Sequence, residues 1–213
     1  MNPSTGLRGY MVMTNRAGVD VADALLIRAS WDEPDRFAAL YDRYAAQLYR
    51  YAYRRMGAAA AAEDVVADTF LAAFRRRHSY DLGRPDARPW LFGILTRELG
   101  RHDRAERAHY RALARSASTS SPADSPAEDV DDRVAAGAIR TELAAALAAL
   151  PARDRDVLLL VAWGDFAYGE VASALDIPVG TVRSRLNRAR RKVRAALGDR
   201  APITDERTST DGH

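Results

Sequence analysis

Residues 114–133 constrain the fold most, because their change of character marks a division of the chain. The run Ser116-Ala117-Ser118-Thr119-Ser120-Ser121-Pro122 is followed by Asp124, Glu128, Asp129, Asp131 and Asp132. Such a segment has too little apolar surface to offset the entropy of ordering it. It reads as a flexible acidic linker over residues 114–134. It divides the chain, and the expectation is an all-α protein of two small helical domains. The proposed divisions are an N-terminal extension at 1–34, a first domain at 35–113, the linker, a second domain at 135–198 and a disordered tail at 199–213.

The helical assignment rests on spacing. Residues 1–34 show only a short apolar stretch from Val21 to Ile27, and Met11 and Met13 are alternative starts. From Phe37 onward, Phe37, Leu40, Tyr41, Tyr44, Leu48 and Tyr51 recur on one helical face, and Gly57 ends the helix. A second helix runs over about 60–77 with Val65, Val66, Phe70, Ala73 and Phe74 as its apolar stripe. Its acids Glu63, Asp64 and Asp68 come early, and Arg75, Arg76 and Arg77 come late, an order that suits the helix dipole. A loop over 79–88 carries Gly83 and Pro85. Pro89 then opens a third helix, with Trp90, Leu91, Ile94, Leu95 and Leu99 inward, running on to about residue 113. In the second half, an Ala/Leu helix covers about 135–150 and Pro151 opens another. Two short helices follow, split at Asp176-Ile177-Pro178. No strand pattern or internal repeat competes.

Composition then narrows the function. The chain has 213 residues, 47% hydrophobic, with no cysteine, which rules out disulfides, thiol nucleophiles and thiolate zinc sites. No apolar run approaches the roughly 20 residues needed to span a bilayer, and no secretory signal pattern is present, so a cytoplasmic protein without membrane insertion is expected. His78, His102, His109 and His213 lack metal-ligand spacing. No Gly-rich phosphate loop or nucleophile elbow occurs. An enzyme, a metal and a cofactor are therefore not expected.

The formal net charge is only +3, but Lys192 is the sole lysine, so positive charge is almost all arginine. A GC-rich codon bias explains that ratio as well as function does, so position must decide. From Ile177 to Gly198 there are seven bases (Arg183, Arg185, Arg188, Arg190, Arg191, Lys192 and Arg194) and no acid. The preceding segment fits a helix-turn-helix, with small Ala172 at the helix crossing and Leu175, Ile177, Val182 and Leu186 apolar on the inner faces. Arg183, Ser184, Asn187, Arg188 and Arg191 share the opposite face. Arg and Asn on the N-terminal part of such a helix can pair with guanine and adenine edges in the major groove, and the distal arginines suit phosphates. The alternative is a solvated basic face, which spacing, turn and one-sided charge together disfavour.

Two further runs carry a resemblance. Leu150-Pro151-Ala152-Arg153-Asp154-Arg155-Asp156-Val157 and Ile177 through Arg190 resemble region 4 of the extracytoplasmic-function (ECF) sigma factors of the sigma-70 family. Ala62 through Phe70 and Pro89-Trp90-Leu91-Phe92-Gly93-Ile94 resemble their region 2. Both lie in the right order over about residues 36–198. The resemblance implies a sigma factor that binds core RNA polymerase and directs it to promoters, with DNA melting at the −10 element. Thr181, Arg183, Ser184, Arg185, Asn187, Arg188 and Arg191 would read the −35 element. Glu63, Asp64 and Asp68 would meet the β′ clamp, while region 4 would meet the β flap. The loop over 79–88 would capture a flipped −10 base, with Tyr80, Arg84, Arg88 and Trp90 as contributors, and Arg97, Arg101, His102 and Arg104 would contact promoter DNA. The acids have a second reading as helix-start stabilisers, and Trp90 as core.

An anti-sigma factor is a further partner implied by the resemblance. Two departures stand out: Arg97 followed by Glu98 replaces the family's usual Asn, and Asp103 and Glu106 dilute the basic face. A dimeric repressor with the same helix-turn-helix is the chief rival, and a pure protein-interaction helical protein would not need the seven-base helix.

Overall fold

A computed structural model describes residues 21–116 and 127–198. Every regular element among them is helical. The α-helices are α1 (Asp23–Ala29), α2 (Ala38–Met56), α3 (Ala59–Arg76), α4 (Arg88–Arg101), α5 (Asp103–Ser116), α6 (Ala127–Ala149), α7 (Ala152–Ala162), α8 (Tyr168–Leu175) and α9 (Val179–Leu197), with short 3-10 turns at Pro34–Phe37 and Arg77–Ser79.

The first bundle forms because α2, α3 and α4 each carry an apolar stripe at helical spacing. Leu40, Tyr44, Leu48, Tyr51 and Ala52 of α2 pack with Val65, Val66, Phe70 and Ala73 of α3 and Leu91, Ile94, Leu95 and Leu99 of α4, all of them buried. Tyr41 departs from its expected place on the stripe: it is exposed, with its ring 4.8 Å from that of Phe70. Gly57 caps α2 in the left-handed region (φ 69), which glycine enters without steric cost.

Three boundaries differ from the sequence expectation. Residues 21–34 are part of the first domain rather than an extension. Asp23, 1% exposed, accepts the Tyr44 hydroxyl at 2.6 Å and the Ala87 amide at 2.7 Å, and pairs with Arg43. This stitches α1 to the start of α4. The third helix also does not run unbroken to 113. His102 leaves helical geometry (φ −102, ψ 13) and a new helix begins at Asp103. The break turns Asp103 and Glu106 off the basic face and toward the second domain, so they do not dilute it. Finally, α6 begins at Ala127, within the segment expected to be linker. The central stretch 117–126, the N-terminal residues 1–20 and the expected tail at 199–213 lie outside the described residues.

In the second domain, α9 buries Val182, Leu186, Ala189, Val193 and Leu197 at successive helical spacings, over Val157, Leu160, Val171 and Ala174. The turn between α8 and α9 is made by Asp176 in the left-handed region (φ 53). There the Ile177 amide bonds the Ala172 carbonyl at 3.0 Å, and Pro178 starts α9. Leu175 and Ile177 pack at the core's edge, half-buried. The two domains pack directly against each other, α8 of the second lying on α4 of the first.

Candidate nucleic-acid interface

Helix α9 separates its faces cleanly. Its apolar positions are buried, while Arg183, Ser184, Asn187 and Arg191 are exposed and Thr181, Arg185 and Arg188 are half-buried. The Ser184 hydroxyl is turned back on the Thr181 carbonyl at 3.0 Å. Arg188 is held differently from the other arginines. Its Nε lies 3.7 Å from a carboxylate oxygen of Asp154, a residue 1% exposed that has no hydrogen-bonded partner for either oxygen. The sequence offered no cue to this pairing, which joins α7 to α9.

The loop before α4 is ordered by its own side chains. Tyr80, expected as a base-contacting residue, is instead 6% exposed, and its hydroxyl donates to the carbonyls of Arg84 (2.7 Å) and Asp86 (3.1 Å). Burial first, then the negative charge of Asp23 and Asp86, pushes its phenol up to about 12. Tyr80 thus shapes the loop from below. Trp90 is half-buried with its ring edge-on to Tyr80 at 5.0 Å. Its inner side is core while the remainder lines a cleft of about 320 Å3 with Gly83, Arg84, Pro85 and Ser173. Arg84 pairs with Asp81 at 3.2 Å and also bonds Ser173 of α8. Arg88 donates to the Gly164 carbonyl, and its guanidinium lies 4.1 Å from the Phe166 ring centre. Beyond α4's first turns, Arg97, Arg101 and Arg104 are exposed and His102 is half-buried. Glu98, flagged in the sequence as an anomaly, is 7% exposed and pairs with Arg101 at 2.6 Å.

On α3, Glu63, Asp64 and Asp68 are all exposed. Leu71, three residues past Asp68 on the same face, is 46% exposed. It was overlooked in the sequence because it lies off the buried stripe. An exposed leucine beside two carboxylates is a surface suited to a basic partner with an apolar contact.

A cluster of charges that sequence reasoning did not single out lies between the domains. Glu106 accepts Nε and Nη2 of Arg55 at 2.7 and 2.8 Å and Nη2 of Arg155 at 3.1 Å. Arg155 also pairs with Asp103, and Arg55 with Asp156 at 2.8 Å. Arg55 and Glu106 are each 1% exposed and Arg155 is fully buried. Burial works against the Arg55 charge, but Tyr51, Asp156 and Glu106 outweigh it and raise its pKa. Burial pushes Asp103 up, yet hydrogen bonds from Arg107 and Arg155 hold it below the usual carboxylate range. For Asp156 burial prevails over Arg55 and the carboxyl is raised. Among the described residues no cluster of His, Asp and Glu has metal-site form, and no helix is long and apolar enough to cross a membrane.

Comparison with known proteins decides what these two domains are. Residues 40–109 match Sigma-70 region 2, and residues 140–193 match Sigma-70, region 4. An ECF RNA polymerase sigma factor of Mycobacterium tuberculosis, SigL, is 36% identical over 186 residues, covering 87% of this chain and 96% of the relative. This chain belongs to the ECF sigma factors. SigW of Bacillus subtilis, another ECF RNA polymerase sigma factor, is 28% identical over 78% of this chain and 91% of its own length.

Two solved structures match this sigma factor's fold. CnrH, in complex with the cytosolic domain of CnrY, is 27% identical with a TM-score of 0.54, covering 82% of this chain and 96% of that one. The sigma factor RpoE of Bartonella quintana, in complex with the anti-sigma factor NepR, is 25% identical with a TM-score of 0.51, covering 78% and 99%. The first bundle here is thus region 2 and the second is region 4.

Proposed function

We propose that this sigma factor binds core RNA polymerase through α3 and carries it to promoters read at two elements. One observation carries this reading: an exposed acidic face on α3 and an exposed basic face on α9 lie on different domains of one chain. In this reading Glu63, Asp64 and Asp68, helped by Leu71, dock on the β′ clamp, and region 4 rests on the β flap. Helix α9 enters the major groove at −35. Arg183 and Asn187 contact base edges, and Arg185, Arg188 and Arg191, with Thr181 and Ser184, hold the backbone. Region 2 works at −10, where Arg84, Arg88 and Trp90 line the capture site for a base leaving the stack during melting. Arg97, Arg101, His102 and Arg104 hold nearby phosphates. Bond formation belongs to the polymerase. The chain works in the cytoplasm without inserting into a membrane, and an anti-sigma factor restrains it.

The test separates the two heads. Asp64→Arg is expected to abolish binding to core polymerase while region-4 binding to −35 duplex persists. Arg183→Ala should weaken duplex binding by about 1–3 kcal/mol and leave core affinity unchanged. Equal effects of both variants on core affinity would overturn the division.

A further inference from the structure

We infer that Asp154 is a positioning residue for −35 recognition: from the first turn of α7 it holds Arg188 and so fixes the register in which α9 lies in the groove. The inference rests on the functional reading above for what α9 does, but the pairing itself is independent of it. Asp154 is 1% exposed, and neither of its carboxylate oxygens receives a hydrogen bond. Nε of Arg188 stands 3.7 Å from one of them, while 41% of the Arg188 side chain is exposed. The carboxylate is thus sunk in the protein, and the guanidinium it faces sits at the surface. Arg188 lies four residues after Ser184 and three before Arg191, both exposed, so it stands among the residues of the reading face.

Folding alone does not account for this residue. Burying a carboxylate without donors is costly. Part of that cost is offset by the start of α7, where the helix dipole favours an acid, and part by an attraction to Arg188 that water weakens. The seam between the helices does not need the charge. Val157 and Leu160 of α7 and Val182, Leu186 and Ala189 of α9 are all buried in one core. An uncharged residue of similar size at 154 would hold α7 and α9 together as well or better. A charge kept at a net cost to folding has its task elsewhere.

That task follows from what phosphate contacts do. They carry no sequence information, but they set where a recognition helix sits in the groove. An arginine free to swing reaches several phosphates and allows α9 several docked poses. An arginine drawn back at Nε keeps its two Nη groups within a narrow range and reaches one. Arg183 and Asn187 then meet the same base edges each time. Asp154 also subtracts charge, because its carboxylate repels the phosphates near Arg188. It therefore weakens docking on every sequence while sharpening the difference between right and wrong ones, and specificity is that difference.

The test uses holoenzyme reconstituted with the full chain, titrated with a promoter fragment selected for its binding and with the same fragment scrambled at −35. Asp154→Asn keeps the side chain's shape and removes its charge. It should lower the ratio of the two affinities about two- to tenfold, the range expected from freeing one long side chain. Affinity for the scrambled fragment should hold or rise, and the Tm of the variant chain should equal or exceed the parent's. Arg188→Ala should lower the ratio by itself, and adding Asp154→Asn to it should change the ratio no further. An unchanged ratio in Asp154→Asn overturns the inference, as do additive effects of the two substitutions. A lowered Tm with equal losses on both fragments also overturns it, because Asp154 would then be a structural residue. A parent holoenzyme that does not distinguish the two fragments would instead sink the reading of α9, so the two failures are distinguishable.

Discussion

Glu106→Ala is the sharpest probe of what holds region 2 and region 4 together. The carboxylate serves two guanidinium groups, Arg55 through bonds of 2.7 and 2.8 Å and Arg155 at 3.1 Å, and all three side chains are 1% exposed or less. Its removal leaves two buried cations short of an acceptor. Breaking a buried ion pair by deleting one partner costs about 3–5 kcal/mol, since the remaining charge stays desolvated. Asp156 and Asp103 still face Arg55 and Arg155, so the lower end, about 3 kcal/mol, is expected. For a chain of this size each kcal/mol shifts Tm by roughly 2–4 °C, giving a fall of about 6–12 °C by scanning calorimetry. Glu106→Gln keeps an acceptor oxygen and loses only the charge, and should fall between. A Glu106→Ala chain melting within about 2 °C of the parent would refute the reasoning, because the cluster would then contribute little beyond its own desolvation cost.

Two other perturbations follow from buried groups. Tyr80→Phe removes a hydroxyl that donates to the Arg84 and Asp86 carbonyls. It should cost about 1 kcal/mol in urea unfolding and raise amide exchange over residues 81–87, with no change in core polymerase affinity. Burial holds the His109 imidazole below its usual pKa of 6.5, against the opposing pull of Glu106. A depressed histidine contributes stability that is present above 6.5 and lost as pH falls through and below that value. The urea midpoint should therefore drop on going from pH 7.5 to 5.5, and drop less in His109→Gln.

The helices were largely legible because each stripe repeats on one face. Phe37 to Tyr51 outlined α2, Val65 to Phe74 outlined α3, and Val182 to Leu186 marked the inner face of α9. The exposed positions Arg183, Asn187, Asp64 and Asp68 followed from the same periodicity read in reverse. What escaped was everything decided by tertiary contact. Nothing local distinguishes Tyr80 as a buried support from Tyr80 as a stacking surface; the carbonyls of Arg84 and Asp86 decide it. Arg55 reads as one more basic residue at a helix end until Glu106, fifty-one positions away, is seen beside it. Asp103 and Glu106 were misplaced on the basic face because the sequence gives no sign that the helix breaks at His102. The close approach of Gly93 to the Ala174 backbone is invisible in the sequence.

The central claim, that one chain couples polymerase to a two-element promoter, is tested most directly by reconstituted transcription. Core polymerase would be combined with the full chain on templates selected for holoenzyme binding. Run-off transcripts should start at a fixed distance from paired −35 and −10 sequences, vanish when either element is scrambled, and vanish with Asp64→Arg. Tight binding of the chain alone to palindromic DNA, with no transcript and no association with core polymerase, would contradict the account.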